Sequence, residues 1–195
     1  VFAQTTTHVS LLARLQDGSD TAAWRAFCDR YEELIRGFAR RQGVFGPDAD
    51  DVVQDVMLSL TKAMPGFTYD PAKGKFRSYL KTVVVRAISA RSRQNPAVAP
   101  LHDGTQVGPA ASEDAAGEPW EVEWRQYHLR QAMKRVRGEF NASDIAAFQA
   151  YVNDGRDAAI VARELGVKID SVYQAKSRVL RRLSQLIAQQ IDEEG

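Results

Sequence analysis

The chain has 195 residues, enough for one ordinary domain or two small helical ones, and its 44% hydrophobic and 26% charged content suits a folded, soluble protein. A single cysteine, Cys28, excludes a disulfide framework and a cysteine-rich zinc site, and no apolar run reaches the roughly 18 residues of a membrane span. The net charge of +1 is neutral on nucleic acid, but the charge is sorted: acid at Asp48, Asp50, Asp51 and Asp55, only base from Lys73 to Arg93, and a second basic cluster at Lys176, Arg178, Arg181 and Arg182.

Val1 to His8 lack the charged-then-apolar pattern of a signal peptide, so a cytoplasmic location without membrane insertion is expected. Residues 1–20 read as an extension carrying a short helix, His8 to Gln16. Asp20 or Thr21 then caps a long amphipathic helix with the stripe Trp24, Phe27, Cys28, Tyr31, Leu34, Ile35 and Phe38, closed by Gly43. Cys28 in that stripe reads as a small buried thiol. Asp48, after Pro47, caps the next helix, whose apolar face is Val52, Val53, Val56, Met57, Leu60 and Met64 and whose stop is Pro65-Gly66. A turn-rich loop from Phe67 to Gly74 follows, and then a helix with Phe76, Tyr79, Leu80, Val83, Val84, Ala87 and Ile88 on one face, ending near Arg93.

Residues 94–119 are rich in Pro, Ala and Gly, lack aromatics, and read as a flexible linker with a span of roughly 25–30 Å. Structure resumes with a helix through Trp120, Trp124, Tyr127, Leu129, Met133 and Val136. Ser143 caps a helix carrying Ile145, Phe148 and Val152, and Asn153-Asp154-Gly155 turns the chain. The expected fold is all-α: a helical domain over 21–93, the linker 94–119, a second helical domain over 120–191, and a tail 192–195.

Ala158 to Leu183 reads as a helix-turn-helix. Val161, Leu165, Val167, Val172 and Ala175 pack two helices together, Ala162 is small at their crossing, and Gly166 occupies the turn. Asp170 or Ser171 caps the second helix, which is expected to bury Val172, Ala175, Val179, Leu180, Leu183 and Leu186. Lys168, Asp170, Ser171, Tyr173, Gln174, Ser177, Arg178 and Arg181 are its candidates for contact with base edges and phosphates.

The acidic helix is the most distinctive feature. Asp48, Asp51, Gln54 and Asp55 share the face opposite the Val52–Met64 stripe, and Leu58 falls on that polar face with no core to enter. A calcium loop is excluded because the sixth-position Gly and closing Glu are missing, and no further acids or His converge for a magnesium nuclease. His8, His102 and His128 are scattered and read as surface residues. No metal, cofactor or catalytic residue is expected. A solvated acidic face and a protein-docking face both remain open on spacing alone.

The run Asp48-Ala-Asp-Asp-Val-Val-Gln-Asp-Val-Met-Leu resembles the core-polymerase-binding helix of region 2 in sigma factors of the sigma-70 family. Phe67 to Arg93 resembles the promoter-melting segment, and the helix-turn-helix resembles region 4. Two such domains with a short linker are the pattern of the extracytoplasmic-function (ECF) group, and the resemblance covers about Ala22 to Ile187. It implies an alternative, non-enzymatic sigma factor whose Asp48, Asp51, Gln54, Asp55 and Leu58 dock on a coiled coil of the largest polymerase subunit. It implies further that Phe67 and Tyr69 stack or pocket an unpaired base, and that Lys73, Lys75, Arg77 and Lys81 meet DNA backbones. Ser78, Lys81, Thr82, Val85, Arg86 and Ser89 would face the displaced strand. Arg86 stands where many members have Asn, which points to a different element preference. The resemblance also implies promoter DNA, duplex and melted, as a partner, an anti-sigma inhibitor, and a free chain that is monomeric. The competing expectation is a helix-turn-helix regulator that binds duplex DNA without polymerase, usually as a dimer; an enzyme acting on nucleic acid comes third.

Overall fold

The computed structural model describes residues 8–67, 76–94 and 116–193, and all of the regular structure among them is helical. These residues fall into two compact units, one running up to Tyr127 and the other spanning His128–Asp192. The expected linker, 94–119, lies largely outside the described residues, as do Tyr69, Lys73, Lys75 and His102. No described helix is long and apolar enough to cross a membrane.

The first unit contains α1 (His8–Arg14), α2 (Thr21–Arg41), α3 (Pro47–Ala63) with a 3-10 turn at Met64–Gly66, α4 (Phe76–Gln94) and the start of α5 (Gly117–Glu139). Asp20 caps α2 as expected. Its carboxylate accepts the Ala23 N–H at 2.9 Å and is gripped by Arg14 at 2.8 and 3.0 Å, and those bonds, the arginine's foremost, hold its pKa below the usual carboxylate range. The stripe from Ala23 to Ala39 is buried against Val52, Val53, Val56 and Leu60 of α3 and Phe76, Leu80, Val84 and Ile88 of α4. Phe27, Tyr31 and Phe76 form the aromatic centre of this core, with ring centroids 4.7–6.0 Å apart.

Asp48 does not cap α3. Pro47 occupies the first turn after Gly46, where its fixed φ suits a helix start and its missing N–H costs nothing, so Asp48 already lies inside the helix. Val85 is a second departure. It was expected on the outward face of α4 but is 6% exposed and belongs to the core, because that helix is flanked closely enough for two adjacent valines to turn inward.

The helix from Trp120, expected to open the second domain, contributes its first turns to the first unit instead. Trp120 is 1% exposed and meets the Phe38 ring edge-on at 5.0 Å. Arg41 pairs with the buried Glu123 at 2.6 Å, and the Tyr127 hydroxyl donates to the Arg30 carbonyl.

The second unit contains the rest of α5, α6 (Ala142–Phe148), a π turn at Gln149–Asn153, α7 (Ala158–Leu165) and α8 (Ile169–Glu193). Asn141, not Ser143, caps α6; its side-chain oxygen accepts the Asp144 N–H at 2.8 Å. Asp157 caps α7 through the Ala159 and Ile160 N–H groups. The α7–α8 turn is built on Gly166 at φ 65°, with the Val167 N–H reaching back to the Ala162 carbonyl at 2.9 Å. An added Cβ at Gly166 would meet nothing within 4 Å, so Gly166→Ala should cost only the left-handed conformation, about 1–2 kcal/mol. Thermal unfolding of the two variants tests this: Gly166→Asn should recover part of the loss, and equal stability of the alanine variant would contradict it.

His128, expected at the surface, is buried, with Nδ1 2.8 Å from Oε1 of Gln190, itself buried. An imidazole satisfied by an amide fits the apolar side of α5, and a lone His in a sequence does not reveal such a partner. Leu180 departs the other way. It was expected in the core and is exposed, since Val179 and Leu183 fill the inward positions around it.

Candidate functional site

On α3 the acids divide into two groups. Asp48 accepts both Nε and Nη2 of Arg91 at 3.1 and 3.0 Å, and the same guanidinium pairs with Asp51. Asp50 accepts from Arg36 at 2.7 Å, and Arg36 also holds Glu32 one turn back on α2. Those arginines pin α3 to its neighbours and neutralise the start of the acidic run. Gln54 and Asp55 are exposed, and Leu58 is 59% exposed, with Ser59 and Thr61 turned back onto helix carbonyls. The outward surface is therefore centred on Gln54, Asp55 and Leu58, flanked by the exposed Asp50 and the partly exposed Asp48 and Asp51, which are already paired with arginines. Arg91→Ala leaves two partly exposed carboxylates side by side. It should lower stability by about 0.5–1 kcal/mol, read by urea unfolding; no change would mean that the bridge is solvent-screened.

The α4 side is only partly outward. Ser78 and Arg86 are exposed, Lys81, Thr82 and Ser89 half-buried, and Val85 buried. Arg77, expected on a DNA backbone, pairs with Glu121 at 2.8 Å and lies 5.3 Å above the Trp124 ring. Phe67 stacks on Tyr79 at 4.9 Å and meets Phe76 edge-on at 6.2 Å, while its carbonyl accepts from Gln16. Tyr79, which the periodicity places on the core face, is half-buried. Desolvation pushes its hydroxyl pKa up, with Arg86 opposing, so the phenol remains a donor at neutral pH. Cys28 lies half-buried, 3.8 Å from the Met57 sulfur, and burial foremost raises its pKa, which disfavours the thiolate.

In the second unit, α8 presents Asp170, Tyr173, Gln174, Ser177, Arg178 and Arg181 to solvent, with Ser171 half-buried and Lys168 exposed in the turn just before the helix. The helix begins at Ile169, ahead of the expected caps. Several of its side chains are held from behind. Tyr151, placed by the π turn, meets the Tyr173 ring edge-on at 5.5 Å and underlies the Lys176 ammonium at 5.2 Å. Arg182 forms a two-pronged pair with Glu139 at 2.6 and 2.7 Å, which pulls the Glu139 pKa down. Arg178 pairs with Asp144 at 2.8 Å. Tyr151, Glu139 and Asp144 were not singled out in the sequence, because nothing in their spacing links them to α8. Among the described residues no group of three or more His, Cys, Asp or Glu could hold a metal ion.

The first unit thus carries one exposed leucine on an acidic helix face, and the second carries a helix-turn-helix. A family profile described as sigma-70 region 2 matches residues 27–96, from the middle of α2 through α4. SigM, an ECF RNA polymerase sigma factor, is 31% identical over 170 residues in two strains of Mycobacterium tuberculosis, covering 86% of this chain and 79% of the relative. A solved structure of CnrH in complex with the cytosolic domain of CnrY is 19% identical and covers 92% of this chain and 96% of that one, with a TM-score of 0.36. The chain belongs to the ECF sigma factors of the sigma-70 family. Its function is that of an alternative sigma factor directing transcription initiation.

Proposed function

We propose that Gln54, Asp55 and Leu58 form the centre of the face that docks on the coiled coil of the largest polymerase subunit, with Asp48 and Asp51 supporting it through Arg91. The observation that carries this reading is Leu58, 59% exposed on a helix whose opposite side is fully buried. A leucine in that position gains only by burial against a partner, and a neighbouring carboxylate supplies a charge-assisted bond to a partner arginine. Asp48 and Asp51 remain partly accessible beside it.

The α4 side, with Ser78, Lys81, Thr82, Arg86 and Ser89, faces the melted strand in this reading. Tyr69, Lys73 and Lys75 belong to the same segment by sequence. Phe67 supports that surface from within the aromatic cluster. The α8 face reads the upstream duplex through Tyr173, Gln174, Ser177, Arg178 and Arg181, with Lys168, Asp170 and Ser171 at its leading end. The protein has no catalysis of its own; it works in the cytoplasm with the polymerase, is monomeric when free, and is held inactive by an anti-sigma protein that covers the α3 face.

The test is transcription in vitro from a library of duplex templates with core polymerase and the chain, with sequencing of transcript 5′ ends. Starts that share an upstream element and require both components support the reading. No transcripts, together with tight palindromic duplex binding by the chain alone, would return the protein to the regulator alternative.

A further inference from the structure

We propose that Asp144 is a positioning residue for promoter readout, fixing the guanidinium of Arg178 so that it selects a base with two major-groove acceptors, guanine. This rests on the reading of α8 as the promoter-recognition helix.

The arrangement is a relay of three side chains within the second unit. Asn141, the cap of α6, accepts the Asp144 N–H at 2.8 Å and donates its own amide N–H to Asp144 Oδ2 at 3.0 Å. This reciprocal pair locks the carboxylate in one rotamer. Its other oxygen, Oδ1, accepts Nη2 of Arg178 at 2.8 Å. The Asp144 side chain is 14% exposed and the Arg178 side chain 54%, so the acid is sheltered while the guanidinium emerges from the surface. Among the described residues one of the five N–H donors of the guanidinium is used, and the fork retains donors for a ligand.

An unanchored arginine samples many rotamers and reaches phosphates as readily as bases. Anchoring one donor fixes the plane of the fork, which is what bidentate pairing with guanine O6 and N7 requires. Arg182 provides the contrast on the same helix. Both its Nε and its Nη2 are held by Glu139, a full two-pronged pair that occupies one edge of the fork.

The charge of Asp144 gives the proposal a distinguishing sign. A carboxylate beside a DNA-binding surface opposes phosphate, so removing it should strengthen sequence-independent binding. Loss of the anchor should weaken discrimination. A residue that only stabilises α6 would lower both together.

The experiment uses the full chain assembled with core polymerase and a random-sequence duplex library, with selection of bound DNA. Arg178→Ala identifies the base pair that this arginine reads. Asp144→Asn and Asp144→Ala should then relax preference at that same position by about three- to tenfold, with binding to non-specific duplex unchanged or tighter. Asp144→Asn keeps the shape of the side chain, and equal thermal melting of the variants with wild type confirms that α6 is intact. Wild-type preference in both Asp144 variants, with relaxation in Arg178→Ala, would overturn the positioning role and leave the recognition helix standing. Uniform weakening at every position, specific and non-specific alike, would also overturn it. If the wild type enriches no element, or Arg178→Ala changes preference nowhere, the reading of α8 falls and the proposal falls with it.

Discussion

Leu58→Glu is expected to weaken capture of core RNA polymerase by about 30-fold or more, the loss of a central interface residue worth at least ~2 kcal/mol. Leu58 is 59% exposed and absent from the hydrophobic core, so the folded state should be unaffected to within about 0.5 kcal/mol. Asp55→Arg should act in the same direction by replacing an attractive charge with a repulsive one. Asp51→Arg is a poorer probe. It removes a partner of Arg91 and sets two guanidinium groups side by side, which confounds docking with stability. Titrating core polymerase into labelled protein gives the affinities, and circular dichroism checks the fold. Wild-type affinity in Leu58→Glu would exclude this face of α3 from the interface.

Trp120→Ala should be the most damaging single substitution for stability. Its indole is 1% exposed, packed edge-on against Phe38 and 6.0 Å from the Trp124 ring. Truncating a buried tryptophan typically costs about 3–5 kcal/mol. The lower end applies here, because the Trp120 Nε1 is buried without a hydrogen-bond acceptor among the described residues, and removing it relieves that cost. Urea unfolding should place the loss near 3 kcal/mol, with Trp120→Phe in between. A loss below about 1 kcal/mol would show that the start of α5 does not depend on this contact.

Much of the fold was legible because helical periodicity reports faces directly. The stripe from Phe27 to Phe38, the cap at Asp20 and the left-handed turn at Gly166 follow from side-chain size, capping chemistry and the absence of a Cβ. Periodicity does not report partners. The grip of Arg91 on Asp48 and Asp51 spans 43 and 40 residues, and a sequence displays only an acidic run and a distant arginine. The same limit hid Asp144 behind Arg178 and Gln190 beside His128.

The division into units was less legible for a related reason. A composition change at Gln94 marks where regular structure pauses, but not which unit a later helix joins. Trp120 and Trp124 are large apolar groups that settle on whichever core accepts them, and Phe38 and Arg77 of the first unit do so. Val85 and Leu180 depart from their expected faces because adjacent residues on a helix lie 100° apart, and neighbouring elements decide how wide a sector of the helix is buried. The exposure of Leu58 was the most readable feature of α3, since an apolar residue on a polar face stands out without any knowledge of packing.

Association with core RNA polymerase is the most direct test. The wild-type chain, mixed with core enzyme and resolved by size, should co-elute as a one-to-one complex, and excess Leu58→Glu chain should fail to displace it. A folded, helical wild-type chain that elutes apart from transcriptionally competent core would contradict the proposed docking of α3.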